Sequence, residues 1–346
     1  MLLPANNHNN FGFLRLFFAS LVIVSHSPEI IDQNRSREIL TNIFGTISFG
    51  EVAVDSFFLI SGYLILKSFY TTSTVKSYFT KRILRIYPAF IVASLFCLFV
   101  VTPIAGGWHL LANLHVADWF KAFTKLLILD SPEVDGLLLR NQPFALNGAM
   151  WSIWLEFLCY VSIPVFFLLG FHKKRLYIAV TLVIVSLYIF LLISNKDIWL
   201  PYPLRISAYL STRLLSAFLI GGAFYYFRDR VIWNRNLSLA SLAFLLICLN
   251  FKYTAELGFF IFGGYLIFNF ALNYKNKILN QIGTKNDISY GVYLYAWPIQ
   301  MLIVQHYPSV SPIVMTLSTM ACVTILGYLS WIYIEQPFMK MKKKLA

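Results

Sequence analysis

The sequence predicts an all-α membrane protein: a polytopic bundle of about ten transmembrane helices forming one domain over residues 1–346, with both termini in the cytoplasm. Three observations carry this. First, 58% of the 346 residues are hydrophobic and only 12% are charged, against about 25% charged in a soluble domain. Second, long apolar runs recur near 11–28, 45–68, 83–102, 151–170, 176–194, 205–227, 237–252, 255–273, 288–306 and 311–335, each long enough, or nearly so, to span a hydrocarbon core. Third, basic residues follow alternate connections. One set holds Lys76, Lys81, Arg82, Arg85, Lys173, Lys174, Arg175, Arg228, Arg230, Arg235, Lys275, Lys277, Lys285, Lys340, Lys342, Lys343 and Lys344, which is 17. The other holds Arg35, Arg37, Lys121, Lys125, Arg140, Lys196 and Lys252, which is 7. The richer set is expected inside, together with both chain ends. The net charge of +13 is then a matter of topology, and no nucleic-acid partner is expected. Membrane lipid is.

The first run, FGFLRLFFASLVIVSHS, carries Arg15 and His26. Their spacing is close to three helical turns, so both leave one face, about 16 Å apart along the axis. Ionisable groups in lipid are costly and usually line a protein interior or a water path. Imidazole titrates near neutrality and suits removal of a proton from a hydroxyl, so His26 is a candidate general base. Residues 1–10 carry no Lys or Arg and no small-residue cleavage site closes the run, so the first helix is expected to be retained.

The second run places Glu51 and Asp55 one turn apart on one face. Asp55 is expected either to neutralise Arg15 or to orient a catalytic group. Ser61-Gly62 follows, and Gly62 permits close helix approach. The third run opens with KRILRIYPAF. Arg82 and Arg85 share a face at a helix N-terminus, where free N–H groups and the macrodipole favour anions. With the planar fork of Arg, this predicts a phosphate clamp. Pro88 is expected to kink the helix.

The connection 103–150 is the longest, lies on the outer side, and has an amphipathic part near 108–129 expected on the membrane surface or over a site. It is too short for a separate catalytic domain. In the fourth run Ser152, Glu156 and Tyr160 repeat every four residues as a polar stripe behind Trp151. Glu156 lies at a depth comparable to His26 and is expected to hold its imidazole in one tautomer, as a carboxylate does in hydrolase triads. Arg205 and Arg213 fall in the sixth run. Arg213 is deep and needs a partner. The ninth run opens SYGVYLYAWPIQ, with Pro298 as a breaker, and Glu335 closes the tenth. Cys97, Cys159, Cys248 and Cys322 all lie in apolar runs without metal-ligand spacing, and no metal is expected.

Five stretches now stand together: Arg15 with His26, FFLISGYLI at 57–65, RILRIYP at 82–88, WSIWLE at 151–156 and SYGVYLYAWP at 289–298. In this order and topology the chain resembles the acyltransferase 3 family, integral membrane proteins that O-acetylate cell-surface carbohydrates. The resemblance implies acyl-CoA as a cytoplasmic donor and an acceptor hydroxyl at the outer face. It implies that Arg15 and His26 are essential, and that Arg82, Arg85 and the Trp and Glu of WSIWLE have roles. Many relatives have a histidine where this chain has Ala296, which shifts weight to His26. Many also carry a fused periplasmic hydrolase-like domain. None is evident here, so the chain looks like stand-alone members that modify lipopolysaccharide O-antigen or similar polysaccharides.

The sequence reading therefore assigns catalysis to His26, Glu156 and Asp55, binding of acetyl-CoA to Arg15, Arg82 and Arg85, and substrate contacts to Trp151, Ser152, Tyr160, Arg213 and Tyr290. The rival is a transporter or flippase of lipid-linked saccharide, which would move its cargo without consuming CoA. A glycan polymerase or ligase would need larger outer loops.

Overall fold

The structure, a computed structural model, describes residues 9–139, 142–143, 146–170, 173–195, 197–199 and 207–345. Arg140, Lys196 and Arg205 lie outside the described residues. Eleven helices matter to the argument: α1 (Phe11–Asp32), α2 (Phe49–Thr71), α3 (Val75–Ile104), α4 (Val116–Leu127), α5 (Trp151–Leu168), α6 (Lys174–Ser194), α7 (Ala208–Tyr226), α8 (Arg235–Cys248), α9 (Ala255–Asn273), α10 (Ser289–His306) and α11 (Pro312–Met341).

All of them except α4 match the apolar runs. Among the described residues, seven (α1, α2, α3, α5, α6, α9 and α11) are long and apolar enough to cross a membrane, while α7, α8 and α10 fall short of that measure. The chain is a multi-pass membrane protein. Its outer surface bears large apolar side chains such as Phe17, Phe99, Leu182, Val183, Phe190, Phe244, Leu317 and Ile325, as a lipid-facing surface requires.

Local chemistry sets the helix starts. Ser48 accepts from the Glu51 backbone N–H while Glu51 accepts from the Ser48 N–H, a complete capping box that opens α2. Thr74 caps α3, Ser207 caps α7 and Asn234 caps α8, each through its side-chain oxygen. Ser311 caps α11 with Pro312 in the first turn. The start of α1 is tied down by Asn10, whose side chain donates to the Phe270 and Tyr274 carbonyls at the end of α9.

Glycine sets the tightest crossing. A Cβ on Gly62 of α2 would lie 1.9 Å from the Phe218 carbonyl oxygen of α7, and one on Gly221 of α7 would lie 2.0 Å from the Leu59 oxygen of α2. The two backbones are in contact, as small residues allow in membranes. Helix α1 packs against α2, α10 and α11, so it is central to the bundle.

Pro298 does not break α10. The helix runs through it to His306, because the Leu294 carbonyl that Pro298 cannot serve accepts a 2.7 Å bond from the Asn147 side chain instead. Near its end α11 widens into a π-helical stretch, Trp331–Glu335, whose last residue turns Glu335 into the interior at 1% exposure. In the long connection, α4 exposes Trp119, Phe120 and Phe123, while Lys125 pairs with Asp130 at 3.1 Å and Glu133 at 2.8 Å.

Candidate active site: an arginine-based cavity and a buffered histidine

At the end of the bundle where α1, α3 and α10 begin, Asp287 gathers two arginines. Its Oδ2 accepts from Arg15 at 2.8 Å and from Arg85 at 2.8 Å, and its Oδ1 accepts from the Ser289 hydroxyl at 2.6 Å. Burial pushes the Asp287 carboxyl up, but Arg15, Arg85 and Ser289 outweigh it and hold it down at about 2. Arg85 also donates to Glu335 at 3.1 Å. Arg82, one turn earlier, makes no ion pair among the described residues. Its guanidinium stands over the rings of Tyr78 and Tyr160, 5.0 and 5.8 Å from their centroids. The buried Nε atoms of Arg82 and Arg15 have no hydrogen-bond partner.

These arginines floor a cavity of about 290 Å³ that runs up between α2, α3, α5 and α10. Lys81, Arg82, Arg85 and Arg15 line one end. Ser61, Glu156, Tyr160 and Tyr290 follow, then Ser152 and Tyr293. Halfway up, Glu156 Oε1 accepts from the Ser61 hydroxyl at 2.5 Å and the Tyr160 hydroxyl at 2.5 Å. At the far end Ser152 and Tyr293 share a 2.7 Å bond, and the Tyr293 hydroxyl donates to the Ala149 carbonyl.

His26 is not part of that lining. Its Nδ1 lies 3.1 Å from Glu29 Oε2, and its ring meets Trp297 edge-on with centroids 5.0 Å apart. An ionised carboxylate only accepts, so the Nδ1 that faces Glu29 is assigned as the donor, and Nε2 is the ring nitrogen that Glu29 does not engage. Trp297 sits one turn beyond Tyr293 on α10. A Cβ on Gly148 would come within 2.6 Å of its ring, so the backbone there presses directly on the indole.

Several sequence expectations are corrected by this geometry. The carboxylate beside His26 is Glu29, one turn along the same helix, not Glu156, which is engaged by Ser61 and Tyr160. Asp55 serves neither Arg15 nor His26. It is fully buried and pairs with Arg213 at 2.8 Å. Arg213 does not line the cavity; Asp55, Glu51 at 3.6 Å and Glu256 at 3.2 Å enclose it. Trp151 lies at the surface, 36% exposed, away from the cavity. Arg82 and Arg85 are not a matched pair, since two carboxylates occupy Arg85. Arg15, Arg82, Arg85, Ser152, Tyr160, Glu156 and Tyr290 are brought together as expected.

The sequence reading missed Asp287, Glu29 and the partnership of Ser61 with Glu156. Glu29 had a signal, since residues three apart on a helix face each other. Asp287 had none beyond the need of a deep arginine for a counter-ion.

Comparison with known proteins identifies the family. The pattern of the family described as "Acyltransferase domain" matches residues 8–334. A protein named O-acetyl transferase from Shigella phage Sf6 is 28% identical over 352 residues, covering 96% of each chain. Nodulation protein 10 of Rhizobium leguminosarum bv. viciae is 25% identical over 379 residues, covering 99% of this chain and 98% of that protein. No solved structure matches the chain. The family match takes in nearly every helix and both halves of the site, and the chain belongs to the acyltransferase 3 family, as a membrane-embedded acyltransferase.

Proposed function

We propose that this protein is an O-acetyltransferase of the cell inner membrane. It takes acetyl groups from acetyl-CoA on the cytoplasmic side and places them on a sugar hydroxyl of a cell-surface or lipid-linked polysaccharide, such as O-antigen, on the outer side. The observation that carries this reading is the cavity. It has a floor of guanidinium groups, two of them with a buried nitrogen unpartnered among the described residues, and polar walls from Ser61, Glu156 and Tyr160 that lead to Ser152 and Tyr293. The name of the phage relative points the same way.

Arg82, Lys81 and the free nitrogen of Arg15 hold the phosphates of the donor, a task for which planar guanidinium donors are suited. Arg85 supports them from behind by fixing Asp287 and Glu335. Ser61, Glu156 and Tyr160 offer hydrogen bonds to the amides of the pantetheine arm. His26 Nε2 takes the proton of the sugar hydroxyl as its oxygen attacks the thioester carbonyl. The thiolate of CoA leaves, and the imidazolium proton neutralises it. The reading requires a path from the Tyr293 end of the cavity to His26, which lies against Trp297 one turn further along α10.

The test uses inside-out membrane vesicles from cells that make the polysaccharide, supplied with radiolabelled acetyl-CoA. His26→Ala, accumulated to normal level, should lower label in the polysaccharide at least a hundredfold. Arg82→Ala should raise the apparent KM for acetyl-CoA about tenfold, in keeping with one lost charge-assisted contact. Wild-type transfer by His26→Ala would overturn the reading.

A further inference from the structure

From His26 an unbroken chain of charges leads away from the cavity. Glu29 meets the imidazole with Oε2 and accepts from Arg35 Nε on Oε1 at 3.2 Å. Arg35 Nη1 donates to Glu51 Oε1 at 3.0 Å. Glu51 in turn faces Arg213, whose other partners are Asp55 and Glu256. Glu256 is itself fixed by the Tyr188 and Tyr209 hydroxyls. The far end of this chain is buried, with Asp55 at 0% exposure and Arg213 at 3%. The near end is not. Arg35 sits in the connection after α1, and its side chain is 45% exposed.

Glu51 has no freedom to follow a moving partner. Its carboxylate is pinned by the Ser48 backbone N–H at 2.8 Å and the Ser48 hydroxyl at 3.0 Å, as the capping box of α2. A residue that bridges Glu29 to such a fixed point sets where Glu29 stands, and so which way the imidazole faces. Its positive charge also offsets part of the negative charge of Glu29. Helices α10 and α11 pack along α1, and α10 ends in His306 beyond the Ile30–Val304 contact. They face it with Trp297, with Gln300, which bonds the Ile23 carbonyl and Ser27, and with Thr316, which bonds Ser27. Among the described residues, Glu29 faces the imidazole directly, and Arg35, Glu51, Asp55, Arg213 and Glu256 follow behind it. Asp32, nearby on α1, is engaged by Arg37.

We infer that Arg35 is a positioning residue for acyl transfer: it ties the Glu29 carboxylate to the capped end of α2 and thereby holds the His26 imidazole in the orientation and charge state that proton removal needs. The inference rests on His26 acting as the base. It adds a residue that contacts neither donor nor acceptor and that the sequence reading counted only as a loop charge.

The experiment follows initial rates against pH with radiolabelled acetyl-CoA in inside-out vesicles. Arg35→Gln removes a positive charge beside Glu29. The acid limb of the kcat profile should move up by about half to one pH unit, because the lost charge is paired to the carboxylate that meets the imidazole. At neutral pH kcat should fall about tenfold, while the KM for acetyl-CoA stays within twofold. Arg35→Lys keeps the charge but cannot span two carboxylates as a fork does. It should leave the limb in place and lower kcat about threefold. An Arg35→Gln protein with a wild-type kcat and profile would overturn the inference, and so would an equal loss in both variants with no movement of the limb. If Arg35→Gln does not accumulate, Arg35→Lys carries the test, and an unchanged kcat there is the overturning result. His26→Ala is run alongside. Activity retained by that variant sinks the general-base reading, whereas an inactive His26→Ala with normal Arg35 variants sinks only the role of Arg35.

Discussion

At the scale of single residues, Asp287 balances the arginine floor. Two guanidinium groups converge on one of its oxygens, and its carboxyl is held down at about 2. A carboxylate depressed from about 4 to about 2 contributes about 2 kcal/mol. That contribution is complete above pH 4 and is lost as the pH falls from about 4 through about 2. Asp287→Asn should forfeit it at all pH values and leave Arg15 and Arg85 facing each other. Thermal unfolding in detergent at pH 7 should then fall by several degrees, and the difference from wild type should vanish below about pH 2. This residue also shows where sequence reading stops. Arg15 was legible because a lone arginine in an apolar run demands a partner. The partner was not, because it lies 272 positions away in a connection with no helical period to read. The nearer acid, Asp55, was the natural guess, but Arg213 takes it.

At the scale of elements, the pattern was more informative than any single side chain. The apolar runs became helices with little displacement, because in lipid the backbone has almost no other way to satisfy its polar groups. Pro298 was misread for the same reason in reverse. The expected break follows from the missing N–H, but the orphaned carbonyl has found an outside donor in Asn147, which no local rule could foresee. The crossing of α2 and α7 was half legible: Gly62 pointed to a close approach but did not identify Gly221 or Phe218 as what it approaches. Gly62→Ala would push a methyl into the Phe218 carbonyl oxygen and should cost about 3 kcal/mol, at the upper end for overpacking. Since α2 carries Ser61, Glu51 and Asp55, the same variant should lower transfer activity along with the unfolding temperature. Normal stability and activity in Gly62→Ala would show that the helices can separate freely there.

At the scale of the whole molecule, the charge asymmetry of the connections puts the arginine floor inside and the His26 end outside. Two cysteines test that sidedness. Asn34→Cys in the connection after α1 should react with a membrane-impermeant maleimide in intact cells, and Ser73→Cys between α2 and α3 only after permeabilisation. Both positions are exposed in the structure. The reverse pattern would turn the proposed donor side around. Within this frame the indole of Trp297, pressed by Gly148 on one flank and touching His26 on the other, has a consequence beyond catalysis. A shaft open from one surface to the other would let hydronium and sodium leak down their gradients, and would expose each waiting thioester to hydrolysis. An indole packed one turn beyond Tyr293, the last lining residue on α10, is where such a path would have to be closed for an enzyme serving both faces of a membrane to stay insulating between turnovers.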